Sequence, residues 1–311
     1  MRASWLGYPQ VVLACWCPLV AVGLWHLLRR LSVRLPARER FILAMATAVT
    51  PLMALAVPYV PHSPLRDALP WRAPMAWGIS SGITDVDGRH PLTALTTQLM
   101  LAASVAPLVC LVVSFAAGAA KAVRTGRAVA MLAPQRYGDI WITTAPGRAV
   151  QDVASTVGLL RPRIILGPQV INSAEASAII EHERAHARAR HPLWIFVATC
   201  VLRSWWWIPG RKAVLAELRL TAELWADQYA RETEGAAAVA KALCARIEAR
   251  SRSAHQDVAL AGGGTGFLDP GVALTHRAQA LARPPQAIPT WQAWTVRAAA
   301  VAAVATVALL L

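Results

Sequence analysis

His182, Glu183, Arg184, Ala185 and His186 spell H-E-x-x-H within a stretch, Ala174 to Arg190, that contains no Gly or Pro. Two histidines four residues apart on a helix face the same way, so both imidazoles can reach one metal ion. Glu183, beside the first histidine, is then placed to take a proton from a water at that ion. This is the chemistry of a zinc peptidase, with metal-assisted hydrolysis of a peptide bond as the reaction. The alternative is an ordinary amphipathic helix with two solvated histidines, and Arg184, Arg188 and Arg190 would suit its wet face.

A hydrolytic zinc site needs a third protein ligand and an open position. The segment Glu217 to Ala230, ELRLTAELWADQYA, lacks Gly and Pro and reads as helix, with Glu223 and Asp227 four apart on one face. Glu223 is the predicted third ligand. Asp227 is predicted to accept a hydrogen bond from a ligand histidine and so fix its tautomer. Without the upstream motif the same segment would pass as an exposed acidic helix. A third histidine fits poorly, because the extended motif needs Gly and His where this chain has Ala189 and Pro192. His191 is displaced by one position and is expected to be structural. Tyr229 and His276 are the candidates for stabilising an oxyanion.

These side chains need elements to hold them. Asn172 and Ser173 are good N-cap residues for the motif helix, Glu175 completes a loose capping box with Asn172, and Pro192 marks the end. Asp139 to Thr144 and Pro162 to Leu166 have strand character, being β-branched and bounded by Gly and Pro. A small sheet there would offer an edge to an extended peptide. Leu193 to Ile208 is apolar but interrupted by Arg203, which suits a helix on the inner leaflet with Trp205, Trp206 and Trp207 at the headgroups, or a buried core helix. The Gly262 to Gly266 stretch reads as a flexible linker.

The rest of the chain reads as membrane. Hydrophobic residues make up 56% and charged residues 15%, outside the usual soluble range, and the mean hydropathy is +0.42. Four stretches are long and apolar enough to span: 10–28, 41–59, 96–119 and 291–311. The first has only Arg2 before it and no small-residue cleavage signal, which argues against a signal peptide. Arg29, Arg30, Arg34, Arg38 and Arg40 follow the first span, and Lys121, Arg124 and Arg127 follow the third, whereas the 60–95 loop is balanced. The positive-inside rule therefore predicts an external N-terminus, a cytoplasmic 121–289 region and an external C-terminus. The net charge of +14 is then explained by basic residues gathered against anionic lipid. Nothing resembling a nucleic-acid recognition motif supports direct nucleic-acid binding. The five cysteines form neither a disulfide framework nor a thiolate zinc site.

GLLRPRIIL (158–166), HERAHARARHPLW (182–194) and AELWADQYA (222–230), in this order between predicted spans, resemble peptidase family M56. This is the group of membrane zinc metallopeptidases that includes the β-lactam sensors. The resemblance implies an α-helical integral membrane protein with a cytoplasmic α+β zincin-like (gluzincin) protease domain. It divides the chain into 1–120 with three transmembrane helices, 121–289 with the zinc domain, and 290–311 with the fourth helix. It implies His182, His186 and Glu223 as Zn2+ ligands, Glu183 as base and Asp227 as support, and it matches Arg277 in LTHRAQAL to an arginine near the end of such domains. The implied substrate is a cytoplasmic protein such as a winged-helix transcriptional repressor. The sensors continue past the fourth span into an extracellular penicillin-binding domain that this sequence lacks, so a separate sensor protein is a further expected partner. A quality-control membrane protease of family M48 and a non-catalytic signalling scaffold are the competing readings.

Overall fold

The computed structural model describes residues 18–26, 29, 35–56, 91–146, 148–254, 270–283 and 288–310. The described part is mostly helical, with one small sheet. The 60–90 part of the predicted external loop and the Gly262 to Gly266 linker lie outside the described residues.

Where they fall within the described residues, the long apolar stretches are helical. Ala37–Ala56 is α1 and Pro91–Met131 is α2. Within α2, Ala106–Met131 is long and apolar enough to cross a membrane, and among the described residues it alone meets that standard. Leu108, Val109, Val112 and Val113 on it are exposed. At 41 residues, α2 extends about 60 Å, roughly twice a bilayer's apolar thickness.

Four short strands follow: β1 (Gln135–Tyr137), β2 (Ile140–Ile142), β3 (Ala154–Val157) and β4 (Arg163–Leu166). They pair in the order β1-β2-β4-β3, with β2 and β4 parallel and the outer pairs antiparallel. The two β-branched runs seen in the sequence are the central strands, and β3 is an edge. A short helix, α3 (Arg148–Gln151), precedes β3, and α4 (Pro168–Ile171) follows β4.

The motif helix α5 runs Ala176–Arg188, slightly shorter than the sequence suggests. Its N-cap is Glu175, without a side-chain bond, so the predicted Asn172 capping box does not form. Asn172 instead closes α4, and Ser173 donates its hydroxyl to Val170 O. The one-turn helix before α5 has taken both capping residues. Pro192 does not stop α5 either; it occupies the first turn of α6 (His191–Ser204), where its missing N–H costs nothing. The reversal falls on Arg190, held at φ 52°.

α7 (Arg211–Glu234) contains the predicted acidic pair, and α8 (Ala236–Ala254), α9 (Pro270–Ala282) and α10 (Thr290–Leu310) complete the order. α7 joins two cores. One includes Phe41, Ala44 and Met45 of α1, Val201 and Leu202 of α6, and Leu218 and Ala222 of α7. The other includes Ile164 and Leu166 of β4, Ile179 of α5, Ala230 of α7 and Leu243 of α8. Glu223 and Asp227 fall between them.

α6 belongs to the first core, the second of the two settings the sequence allowed. Trp205 is fully buried while Trp206 is exposed. Its other face meets α2: Phe196 stacks edge-on against Phe115 at 5.5 Å, and a Cβ on Gly118 would come 2.4 Å from the Phe196 ring. A side chain at 118 would therefore force the Phe196 ring to shift. At its start, α1 is tied in two directions. Glu39 accepts from Arg297 of α10 at 2.6 and 3.0 Å, and Arg40 donates to Glu217 of α7 at 2.5 and 3.1 Å.

Candidate metal and catalytic site

Four-residue spacing on α5 brings His182 and His186 together, with their Nε2 atoms 3.1 Å apart. α7 supplies the third group across the interface. Glu223 lies 3.6 Å from His182 Nε2 through Oε2 and 3.5 Å from His186 Nε2 through Oε1. These three residues form a group that could hold a metal ion. The spacings come near what one ion requires, with a different oxygen of Glu223 nearest each imidazole. Donors each about 2.1 Å from one ion, at tetrahedral angles, stand about 3.4 Å apart.

Both histidines are aimed by their other nitrogen. His182 Nδ1 lies 2.9 Å from Asp227 Oδ1, so it donates there, and Nε2 is the atom left for a metal once its own proton is released. His186 Nδ1 lies 2.9 Å from His191 Nδ1. With His186 Nε2 free to ligate, its Nδ1–H is the donor and His191 the acceptor. His191 is thus structural, as its displaced spacing suggested, but its role is to orient a motif histidine. Phe41 and Trp225 enclose its ring, at 4.9 and 4.8 Å between centroids. Burial, and then the neighbouring His186, push its pKa down to about 3, so the ring is neutral.

Arg277 of α9 completes the acidic side. It donates to both oxygens of Asp227 at 2.7 Å and to Glu223 Oε2 at 3.0 Å. Burial opposes ionisation of Glu223. Hydrogen bonding to His182 and the charges of His186 and Arg277 outweigh it, and hold the carboxyl well below its usual range. Asp227 is lowered against the same burial penalty by His182 and Arg277. The arginine that was legible only through resemblance therefore bridges the two acids picked from spacing.

Glu183 is 3% exposed, which for a carboxylate demands partners. Two supply it. Thr156 of β3 places its hydroxyl 2.8 Å from Oε2, and Arg246 of α8 places Nη1 3.1 Å from Oε1. Despite desolvation, Arg246 and the two histidines lower its pKa. Neither Thr156 nor Arg246 was singled out from the sequence. The only available signal was that a buried motif glutamate needs a cation, and spacing does not say which.

Tyr229 has a different neighbour: the Arg188 guanidinium sits 5.3 Å over its ring. His276 is exposed on α9. Among the described contacts, neither is brought to the group.

Compared with protein-family models, curated proteins and solved structures, the chain matches none. The site geometry alone therefore bears on function.

Proposed function

We propose that this chain is an integral membrane zinc metalloendopeptidase of the M56 type, with a zincin-like (gluzincin) domain facing the cytoplasm. The observation that carries the reading is the convergence of His182, His186 and Glu223 into one group that could hold a metal ion, with an ionised Glu183 adjoining the first histidine. Two imidazoles and one carboxylate are the donor set of hydrolytic zinc sites. Bound there, zinc would polarise a peptide carbonyl and favour ionisation of water near neutral pH. Glu183 accepts the proton and passes it to the leaving amine. Thr156 and Arg246 hold its carboxylate in place for both transfers, while Asp227 and His191 keep the histidine rings aimed.

The substrate reading is a peptide extended along the free edge of β3, whose Thr156 already touches Glu183. A cytoplasmic protein such as a winged-helix repressor suits the basic-inside topology. A separate sensor protein would act through the spans or the 60–95 loop. Support for the membrane setting comes from the exposed apolar face of α2, and from the Glu39–Arg297 pair, which joins the N-terminal parts of α1 and α10.

Metal analysis of the detergent-purified chain tests the reading. It should hold about one zinc per molecule, and His186→Ala or Glu223→Ala should remove most of it. Full zinc retention in both variants would sink the ligand set.

A further inference from the structure

Arg246 has more to do than neutralise Glu183. Its Nη1 pairs with Glu183 Oε1 at 3.1 Å and its Nη2 donates to Ala154 O at 3.2 Å. Ala154 opens β3, the edge strand beside the motif helix. The guanidinium therefore sits at one end of that edge, so a peptide adding to β3 meets its charge at the Ala154 carbonyl.

Two further facts point to a ligand. Guanidinium carries five N–H donors, and only two are committed among the described contacts. The side chain is also 37% exposed, whereas the Glu183 side chain beneath it is 5% exposed. A cation that is already anchored, with donors to spare, is pre-organised for a carboxylate.

Direction follows from the strand. β3 runs from Ala154 to Val157 and pairs antiparallel with β4. A peptide joining its free edge in the more stable antiparallel sense presents its C-terminal side to Ala154. Glu183, which serves the leaving amine, is bonded to the same arginine. Arg246 thus lies on the leaving-group side of the bond to be cut.

Resting on the peptidase reading above, we propose that Arg246 selects peptides with an acidic side chain, or a free C-terminal carboxylate, one or two residues after the scissile bond. The recognition is charge-assisted hydrogen bonding to a carboxylate held at the Ala154 end of β3.

The zinc-loaded full chain would be incubated with a proteome-derived peptide mixture and the cut sites read by mass spectrometry. Asp, Glu or a chain end should be enriched in the two positions after the cut. Replacing that Asp by Asn or Lys in a synthetic peptide should lower kcat/KM roughly tenfold, mostly through KM. Arg246→Glu should shift the preference toward Lys and Arg, which lost folding or a lost base position alone would not do. No charge preference there, or an acidic preference before the cut, would overturn the proposal. A binding measurement separates this from failure of the peptidase reading. Zinc-loaded Glu183→Gln would be titrated with a fluorescent heptapeptide carrying one central Asp, and with its Asn and Lys counterparts. Tighter binding of the Asp peptide, lost in Arg246→Glu, supports the carboxylate site even if no cleavage is found; equal binding of all three overturns it.

Discussion

His191 Nδ1 stands 2.9 Å from His186 Nδ1, making a residue outside the H-E-x-x-H motif the orienting partner of its second histidine. His191 is 1% exposed, and its other nitrogen, Nε2, is buried without a hydrogen-bond partner among the described residues. The ring is thus held by aromatic packing and by this one bond. His191→Ala should weaken zinc affinity about 10- to 100-fold, as loss of a ligand-orienting partner does. Competition with a chelator of known affinity measures it. Unchanged affinity would mean the contact does not aim His186.

Asp227 and Arg277 form a second support, on the other histidine. Removing one member of a buried bidentate pair leaves the other charge uncompensated and costs about 3 kcal/mol. Arg277→Met should therefore lower the Tm of the metal-free protein and loosen zinc binding. Asp227→Asn combined with Arg277→Met should cost less than the two single changes added together. Strict additivity in denaturation measurements would show that the pair is not coupled.

The metal-free site predicts a pH dependence. Burial alone would lower the His182 pKa, but Asp227 and Glu223 overcome it and raise it from 6.5 to about 9. A raised pKa contributes stability that is complete below about 6.5 and lost as pH climbs through about 9, because the unfolded chain releases the proton first. The metal-free Tm should fall across that window. In the zinc form the metal replaces the proton, so the fall should be absent, and zinc binding at pH 7.5 should release about one proton from this ring. Calorimetry in buffers of different ionisation enthalpy reads that release. Proton-neutral binding would contradict the assignment.

Topology gives a fourth expectation. A reporter fused within 230–260 should read cytoplasmic and one fused within 75–90 external, since Arg29 to Arg40 and Lys121 to Arg127 carry the positive bias. The opposite pattern would exclude a cytoplasmic repressor as substrate.

Helical spacing made His182, His186, Glu223 and Asp227 legible, because the i, i+4 rule operates within a helix and needs no tertiary knowledge. β2 and β4 were legible for the same local reason: IWI and RIIL are β-branched runs. β1 and β3 were not. QRY and ASTV are too short and too polar to show a period, and only their neighbours make them strands. The capping expectation at Asn172 failed because Pro168–Ile171 forms its own turn and consumes that residue. Arg246 lies 63 residues from Glu183, on a helix with nothing to distinguish it from other basic residues. Tertiary packing alone selects it.

The most direct test of the account is cleavage by Glu183→Gln. In the proposed mechanism Glu183 serves the proton and not the ion, so this variant should retain about one zinc per molecule while losing cleavage of any peptide the wild type cuts. Mass spectrometry of the digest and metal analysis of the same sample give both readings. Zinc retained with cleavage abolished is the predicted result. Cleavage at the wild-type rate by the zinc-loaded variant would show that H-E-x-x-H in this chain is a coincidence of sequence.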